Sequence, residues 1–178
     1  WRWGTWNPNH KEQWWRLVPS PVVGNGVILV CAPKKAPIFA VKLGLKGSNT
    51  GKEGLKWSTE NDNTLTSDVP TPLFYENKFF ILSDLKKILS RVNSQTGEIE
   101  WSLELPGKYK WRSSPTAGDG KIYIMNHNAE VLVVSSNTGE ILHLAKMGET
   151  YDDNTRSSVS IGSNELFIRT NKILYCIQ

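Results

Sequence analysis

The 178-residue sequence contains few of the residues that build disulfide frameworks and metal sites. It has two cysteines, Cys31 and Cys176, together with three histidines and two methionines. Two cysteines are too few for a disulfide scaffold or a cysteine-based zinc site. Both lie in apolar, strand-like runs, so we predict that each is a small buried hydrophobic side chain.

Long hydrophobic runs and blocks of one charge are also missing. The longest apolar runs, 27–30 and 131–134, fall far short of the roughly 18 residues that a membrane-spanning helix needs, so no membrane span is predicted. A net charge of +4 without a Lys/Arg-rich block predicts no nucleic-acid partner. No signal peptide is visible, and because the sequence starts at Trp1 rather than Met we interpret it as a trimmed or partial chain.

Tryptophan, in contrast, is abundant. The chain has eight tryptophans, and five of them stand within the first fifteen residues: Trp1, Trp3, Trp6, Trp14 and Trp15. Indole rings at this density must be buried in a core or in an interface.

A repeat runs through the sequence. Four segments open with a hydroxyl residue, followed in three cases by proline, at positions 20, 71, 114 and 158. Each opening leads into a tight turn of small or φ-permissive residues, with Glu76-Asn77 in the second unit, and then into further short apolar strands. The first unit is longer than the others because it contains the inserted polar segment Gly44–Gly54.

These units predict an all-β fold. Each is a four-stranded antiparallel meander, and no amphipathic helix of useful length appears. A sheet this small cannot bury both faces alone, so neighbouring sheets must stack as the blades of a β-propeller. We predict one propeller domain over residues 1–178, with blades at about 18–60, 69–105, 112–147 and 156–178.

The two ends of the chain allow two interpretations. The fourth unit has three strands, and Trp1–Trp6 has the pattern of an outer strand with no unit before it. This strand either completes the last blade of a closed ring, which would cover open sheet edges, or belongs to a preceding blade. We favour the second interpretation, in which the chain is about half of a larger propeller.

The repeat resembles that of the pyrroloquinoline-quinone (PQQ)-like propellers. The resemblance rests on Ser114-Pro115, on the turn and strand 118–123, on Thr138-Gly139-Glu140, and on Trp101 of the preceding unit. It implies a complete propeller of seven or eight blades and a bacterial protein of the exported, periplasmic BamB-like type. It also implies that Trp57 and Trp101 dock neighbouring blades; His143 stands at their position in the third unit, so that junction is expected to differ.

The same resemblance raises the alternative of a quinoprotein-type oxidoreductase. Enzymes of that kind hold PQQ in the propeller channel against a Trp and a disulfide between adjacent cysteines, with a calcium ion on Glu, Asn and Asp oxygens. The two cysteines here are far apart in sequence, and only Asp152-Asp153-Asn154 comes near a calcium-binding pattern. We therefore predict no catalytic residues, no metal and no cofactor.

A candidate ligand site lies at the channel mouth. Alignment of the units places Val69, Arg112 and Arg156 at one repeated position, with Trp111 and Asp68 nearby. Two arginines and a tryptophan there could hold an anionic or peptide ligand, because Arg makes bidentate contacts with carboxylates. In the alternative interpretation, these arginines pair with loop acids of the same chain, namely Asp152, Asp153 or Glu149.

Together these observations predict a non-catalytic propeller that binds a protein or another ligand. The alternatives are the quinoprotein enzyme and a purely structural repeat module. An open half-propeller would expose apolar faces between blades, so two copies are expected to pair as a homodimer that closes the ring.

Overall fold

The computed structural model describes residues 1–4, 17–32, 34, 36–60, 64–152 and 154–178. The regular elements in this part are strands, apart from the short 3-10 helix Lys52–Gly54. The strands are β1 Arg2–Trp3, β2 Val22–Gly24, β3 Val27–Cys31, β4 Ile38–Lys42, β5 Ser48–Asn49, β6 Leu55–Ser58, β7 Leu73–Tyr75, β8 Lys78–Ser83, β9 Ile88–Asn93, β10 Ile99–Glu104, β11 Thr116–Gly118, β12 Lys121–Met125, β13 Glu130–Ser135, β14 Ile141–Lys146, β15 Ser160–Gly162, β16 Glu165–Arg169 and β17 Leu174–Ile177.

Four antiparallel sheets form the blades. Blade one is β2-β3-β4-β6, blade two is β7-β8-β9-β10, blade three is β11-β12-β13-β14, and blade four is β15-β16-β17. The first strands of neighbouring blades contact one another, so they are the innermost strands. The predicted propeller of antiparallel blades is confirmed.

The turn after each first strand explains the residues found there. In blade one Asn25 and Gly26 both have positive φ, at 47° and 80°, and Asp119 and Gly120 repeat this in blade three at 50° and 68°. Two successive positive φ angles are typical of the two-residue hairpin turn whose twist matches the strands it joins. The positive φ angles of these turns therefore explain why the repeat has glycine and small polar residues there.

Strand β8 shows how the blades bury both of their faces. Phe79 and Ile81 pack into a cluster shared with blade one, whereas Phe80 and Leu82 pack into a cluster shared with blade three. All four side chains are at most 1% exposed. A strand covered on both faces is apolar throughout rather than alternating, which matches its sequence.

Hydroxyl groups link the blades at their inner ends. The backbone N–H of Ser20 donates to Thr71 Oγ1 at 3.0 Å, that of Thr71 donates to Ser114 Oγ at 3.0 Å, and that of Ser114 donates to Ser158 Oγ at 2.9 Å. Blades two, three and four thus each accept one hydrogen bond from the blade before. This relay accounts for the hydroxyl residues that open these three units, Thr71, Ser114 and Ser158.

A tryptophan links blades one and two at their outer ends. The Trp57 ring covers Gly97 so closely that a Cβ there would lie 2.6 Å from Trp57 Cδ2. Trp57 Nε1 also donates to the carbonyl of Ser94 at 3.0 Å. We call this pair of contacts the tryptophan dock.

The same dock joins blades two and three. Trp101 Nε1 donates to the Ser136 carbonyl at 3.2 Å, and a Cβ on Gly139 would lie 2.8 Å from Trp101 Cδ2. In both docks the accepting carbonyl lies three residues before the glycine. His143, at the corresponding position of blade three, is exposed.

The N-terminal segment lies against the insertion of blade one. Strand β1 pairs in parallel with β5, and Trp3 packs on Phe39 at a ring-centroid distance of 5.0 Å. Within the described residues, Arg2–Trp3 does not pair with blade four, as a strand closing a four-bladed ring would. The rest of the predicted outer strand, Thr5 and Trp6, lies outside the described residues, as do Trp14 and Trp15.

The two cysteines differ in their environments. Cys31 is buried in blade one, as predicted, and burial raises the pKa of its thiol to about 12. The prediction that Cys176 is buried was wrong, because β17 pairs with β16 on one side only and leaves Cys176 exposed.

We expect Gly139→Ala to destabilise the chain more than Gly120→Ala does. Both glycines have positive φ, at 74° and 68°, so both variants carry the same backbone strain, but a Cβ on Gly120 meets nothing within 4 Å. The clash with Trp101 should add about 1–3 kcal/mol to the loss of unfolding free energy, measured by urea denaturation. Equal losses in the two variants would contradict the tryptophan dock.

Candidate ligand site at the channel mouth

Arg112 is held by a carboxylate that the sequence analysis did not select. Its Nε donates to Asp84 Oδ2 at 3.0 Å, and the Asp84 side chain is fully buried while that of Arg112 is 18% exposed. Asp84 directly follows β8 of blade two. The ion pair therefore fixes the loop that enters blade three against the second strand of blade two.

Asp68 belongs to the same network. Its backbone N–H donates to the second oxygen of Asp84 at 3.2 Å, and its own Oδ1 accepts from the backbone N–H of Lys34 at 2.9 Å. Asp68 is only 5% exposed. Both carboxylates thus lie beneath the surface, where they hold loops together.

Trp111 is not on the surface of the site. Its side chain is 0% exposed and lies in the core shared by blades two and three. Its Nε1 donates to the Pro106 carbonyl at 3.1 Å, and its backbone bridges to Asn126. The prediction that Trp111 contacts a ligand needs correction, because its side chain is buried between blades two and three.

Arg156 faces solvent at the entrance to blade four. No ion pair joins it to a carboxylate in the part of the chain that the structure describes. Of the loop acids considered as its partners, Asp152 is buried and accepts from the backbone N–H of Asn171 at 2.8 Å, whereas Glu149 is exposed. Asp153 lies outside the described residues.

His127 is a further residue at the channel mouth. His127 lies just after β12, and its Nε2 is buried without a hydrogen-bond partner among the described residues. Burial lowers the pKa of His127, and the nearby charges of Arg112, Arg156 and Lys110 lower it further, whereas Asp84 acts in the opposite direction. The imidazole of His127 thus lies near three cations that disfavour its protonation.

A cavity of about 280 Å³ opens beside this histidine. It is lined by Lys108, Tyr109, Lys110, His127 and Asn154. The charged side chains among these lining residues are the lysines Lys108 and Lys110. Such a site favours a ligand that carries negative charge.

Sequence reasoning missed Asp84 and His127, although a signal for them was present. In an antiparallel meander the second strand ends where the first begins. Residues that directly follow β8 and β12 must therefore reach the same end of the blades as Arg112 and Arg156. The alignment compared only the loops that enter each blade, and for this reason it overlooked them.

The structure also bears on metals and membranes. Within the described residues, no group of three or more His, Cys, Asp or Glu side chains could hold a metal ion. No helix in the same part of the chain is long and apolar enough to cross a membrane.

Comparisons with known proteins identify the fold. No family model matches the chain, and no curated protein sequence matches it. BamB from Moraxella catarrhalis superposes with a TM-score of 0.59 at 12% identity, over 83% of this chain and 40% of that protein. Quinohemoprotein alcohol dehydrogenase from Comamonas testosteroni gives a TM-score of 0.65 at 14% identity, over 88% and 29%.

A third solved structure points the same way. A europium-containing methanol dehydrogenase gives a TM-score of 0.57 at 16% identity, over 72% of this chain and 24% of that one. The chain thus has the PQQ-like β-propeller fold. It spans two fifths or less of the length of these proteins, and identities this low establish the fold alone.

We expect Asp84→Asn to destabilise the fold, because it leaves the half-buried Arg112 guanidinium without its counter-charge. Urea denaturation should show a loss of about 1–3 kcal/mol. The matched control is Asp119→Asn, since Asp119 is 91% exposed and pairs with Lys121 at the surface, where ion pairs contribute little. Similar stability for both variants would argue against a structural ion pair at the mouth.

Proposed function

We propose that the chain is a non-catalytic propeller module that binds a protein or peptide ligand. The channel mouth of the chain binds the carboxylate groups of that ligand. One observation carries this proposal. The acids of the mouth, Asp84 and Asp68, are buried and engaged, while Arg156 and Lys110 face solvent. A partner with acidic side chains complements that arrangement.

The cations of the mouth can act in different ways. Arg112 is oriented by its bond to Asp84, which lowers the cost of ordering the guanidinium when a ligand binds. Arg156 is exposed and can offer a bidentate contact to a carboxylate. Lys110 and the cavity beside His127 extend the surface, so several acidic groups of one ligand can be engaged together.

A quinoprotein enzyme is less well supported by these residues. The neighbouring structures include both BamB and dehydrogenases, so the fold does not choose between the two. Cys31 is buried in blade one and Cys176 lies on β17, so neither can join a neighbouring cysteine, and Trp111 is buried in the core. The described residues do not fit a PQQ platform, and no catalytic step is derived through that cofactor.

The resemblance to exported propellers extends the proposal to location. We place the protein in the periplasm or in another exported compartment. A purely structural role is the remaining alternative, and it predicts no saturable ligand at the mouth.

Binding of a hexa-aspartate peptide tests the site. We expect saturable binding by isothermal titration calorimetry, weakened about tenfold or more in Arg156→Gln, because a charge-assisted hydrogen bond contributes about 1.5–3 kcal/mol. Lys56→Gln is the matched control, since Lys56 is exposed on the outer strand of blade one and its loss changes the net charge equally. Equal weakening in both variants, or no saturable binding, would refute a specific site.

We also expect the affinity for this peptide to rise as the pH falls below 6.5, because the pKa of His127 in the free site is lowered from that ordinary value. Burial and the charges of Arg112, Arg156 and Lys110 lower the pKa of His127, so protonation of the imidazole is disfavoured in the free site. A bound carboxylate offsets those cations and favours the imidazolium, and binding is then linked to proton uptake. His127→Gln should remove the pH dependence; an unchanged profile would contradict the role of His127.

A further inference from the structure

Blade one carries an insertion that blades two and three lack. Its third and fourth strands, β4 and β6, are separated by residues 43–54, whereas residues 94–98 and 136–140 make the same connection in the next two blades. The shorter connections show that the fold itself needs only a tight turn at this point. An ordered insertion at such a place is typical of a functional loop.

The insertion is folded and is held against blade one. The partly buried Leu45 packs on the apolar cluster that contains Phe39. Trp3 holds the second half of the insertion, because its Nε1 donates to the Gly51 carbonyl at 3.3 Å and a Cβ on Gly54 would lie 2.9 Å from Trp3 Cδ1. These contacts fix the backbone from which the charged side chains of the insertion extend.

Lysine dominates the charge of this region. Four exposed lysines stand in and beside the insertion, and we call them the lysine patch: Lys42, Lys46, Lys52 and Lys56. None of them belongs to an ion pair among the described residues. Glu53 is the one carboxylate between them in sequence, and it accepts from the backbone N–H of Gly51 at 3.2 Å. Residues 42–56 thus carry a net charge of +3, against +4 for the whole chain.

The contacts of the insertion bring these lysines to one end of blade one. Lys42 Nζ donates to the backbone carbonyl of Glu53 at 2.8 Å, which places the end of β4 beside the 3-10 helix. Val41 pairs with Leu55 in the sheet. Lys42 and Lys56 each follow one member of that pair, so they lie on neighbouring strands at the base of the insertion.

The lysine patch lies at the end of the blades opposite the channel mouth. In an antiparallel meander the third strand runs away from the end at which the second strand finishes. Asp84 follows β8, the second strand of blade two, and lies at the mouth, whereas the insertion follows β4, the third strand of blade one. The two cationic surfaces of the chain are therefore at different ends of the blades.

The type of cation indicates the type of partner. An arginine binds a carboxylate in a fixed bidentate geometry, whereas a lysine ammonium is a hydrated point charge on a flexible stem. Several lysines suit a surface that carries many phosphates in no fixed arrangement, such as the headgroups of anionic lipids. Leu43 directly follows Lys42 and is 46% exposed, and an apolar side chain among lysines can enter the headgroup region.

We propose that the lysine patch of blade one is a docking surface for a membrane that contains anionic phospholipids. The four ammonium groups contact headgroup phosphates, and the Leu43 side chain enters between the headgroups. The channel mouth, at the opposite end of the blades, then points away from the membrane and stays open to its own ligand. This inference does not depend on the peptide ligand proposed for the mouth.

Co-sedimentation with vesicles tests this proposal, in about 0.1 M salt so that charges far from the membrane are screened. We expect vesicles of phosphatidylcholine with about 30% phosphatidylglycerol to bind the chain at least about tenfold more tightly than phosphatidylcholine alone. Lys46→Gln together with Lys52→Gln should weaken this binding about tenfold or more, since each lysine near an anionic surface contributes about fivefold. The matched control is Lys146→Gln together with Lys172→Gln, which removes two exposed lysines at the mouth end of the blades and should leave binding unchanged.

Leu43→Ser separates a membrane from soluble polyanions. It should weaken vesicle binding about threefold or more, because the apolar contact with the headgroup region is lost. A short DNA duplex that binds as tightly as the vesicles, and is insensitive to Leu43→Ser, would assign the lysine patch to soluble polyphosphates instead. Equal weakening in the two double variants, or binding that is indifferent to lipid charge, would also overturn the proposal. Peptide binding by Lys46→Gln with Lys52→Gln should be unchanged, so failure at the patch and failure at the mouth are recognised separately.

Discussion

The contact of an indole ring with a glycine of the neighbouring blade is the constraint on which the arrangement of the sheets depends. Trp57 and Trp101 lie closer to Gly97 and Gly139 than any side chain larger than hydrogen would allow. Each indole also supplies a hydrogen bond to a turn carbonyl, so the ring is fixed in both distance and orientation. The outer ends of the blades are thereby held at a set spacing.

The inner ends of the blades are held by hydrogen bonds to hydroxyl groups, which are also directional. The hydroxyl relay from Ser20 to Ser158 passes one hydrogen bond between each pair of neighbouring blades. With both ends fixed, the apolar faces between the blades pack in a single register. The packing of the blades also fixes the loops at the channel mouth. For this reason Asp84 of one blade meets Arg112 of the next.

Much of the fold could be predicted because its determinants are local. Tight turns such as Asp119-Gly120 and the apolar run of β8 show the strands and their order directly, and the spacing of Trp57 and Trp101 follows from the repeat. The site was harder to predict, because it depends on the direction of side chains and on contacts between units. Trp111 aligns with mouth residues but turns inward at a backbone bridge, and Asp84 lies in a different unit from its partner Arg112.

The relay of hydroxyl groups also has a consequence for dynamics. Since each blade is bonded only to its neighbours, the stability of any strand depends on how many neighbours its blade has, as in other repeat proteins. Blades two and three are held on both sides, whereas blade four has a described neighbour on one side only. Amide hydrogens in β8 and β12, whose blades have a described neighbour on each side, should therefore exchange with solvent most slowly among the described strands.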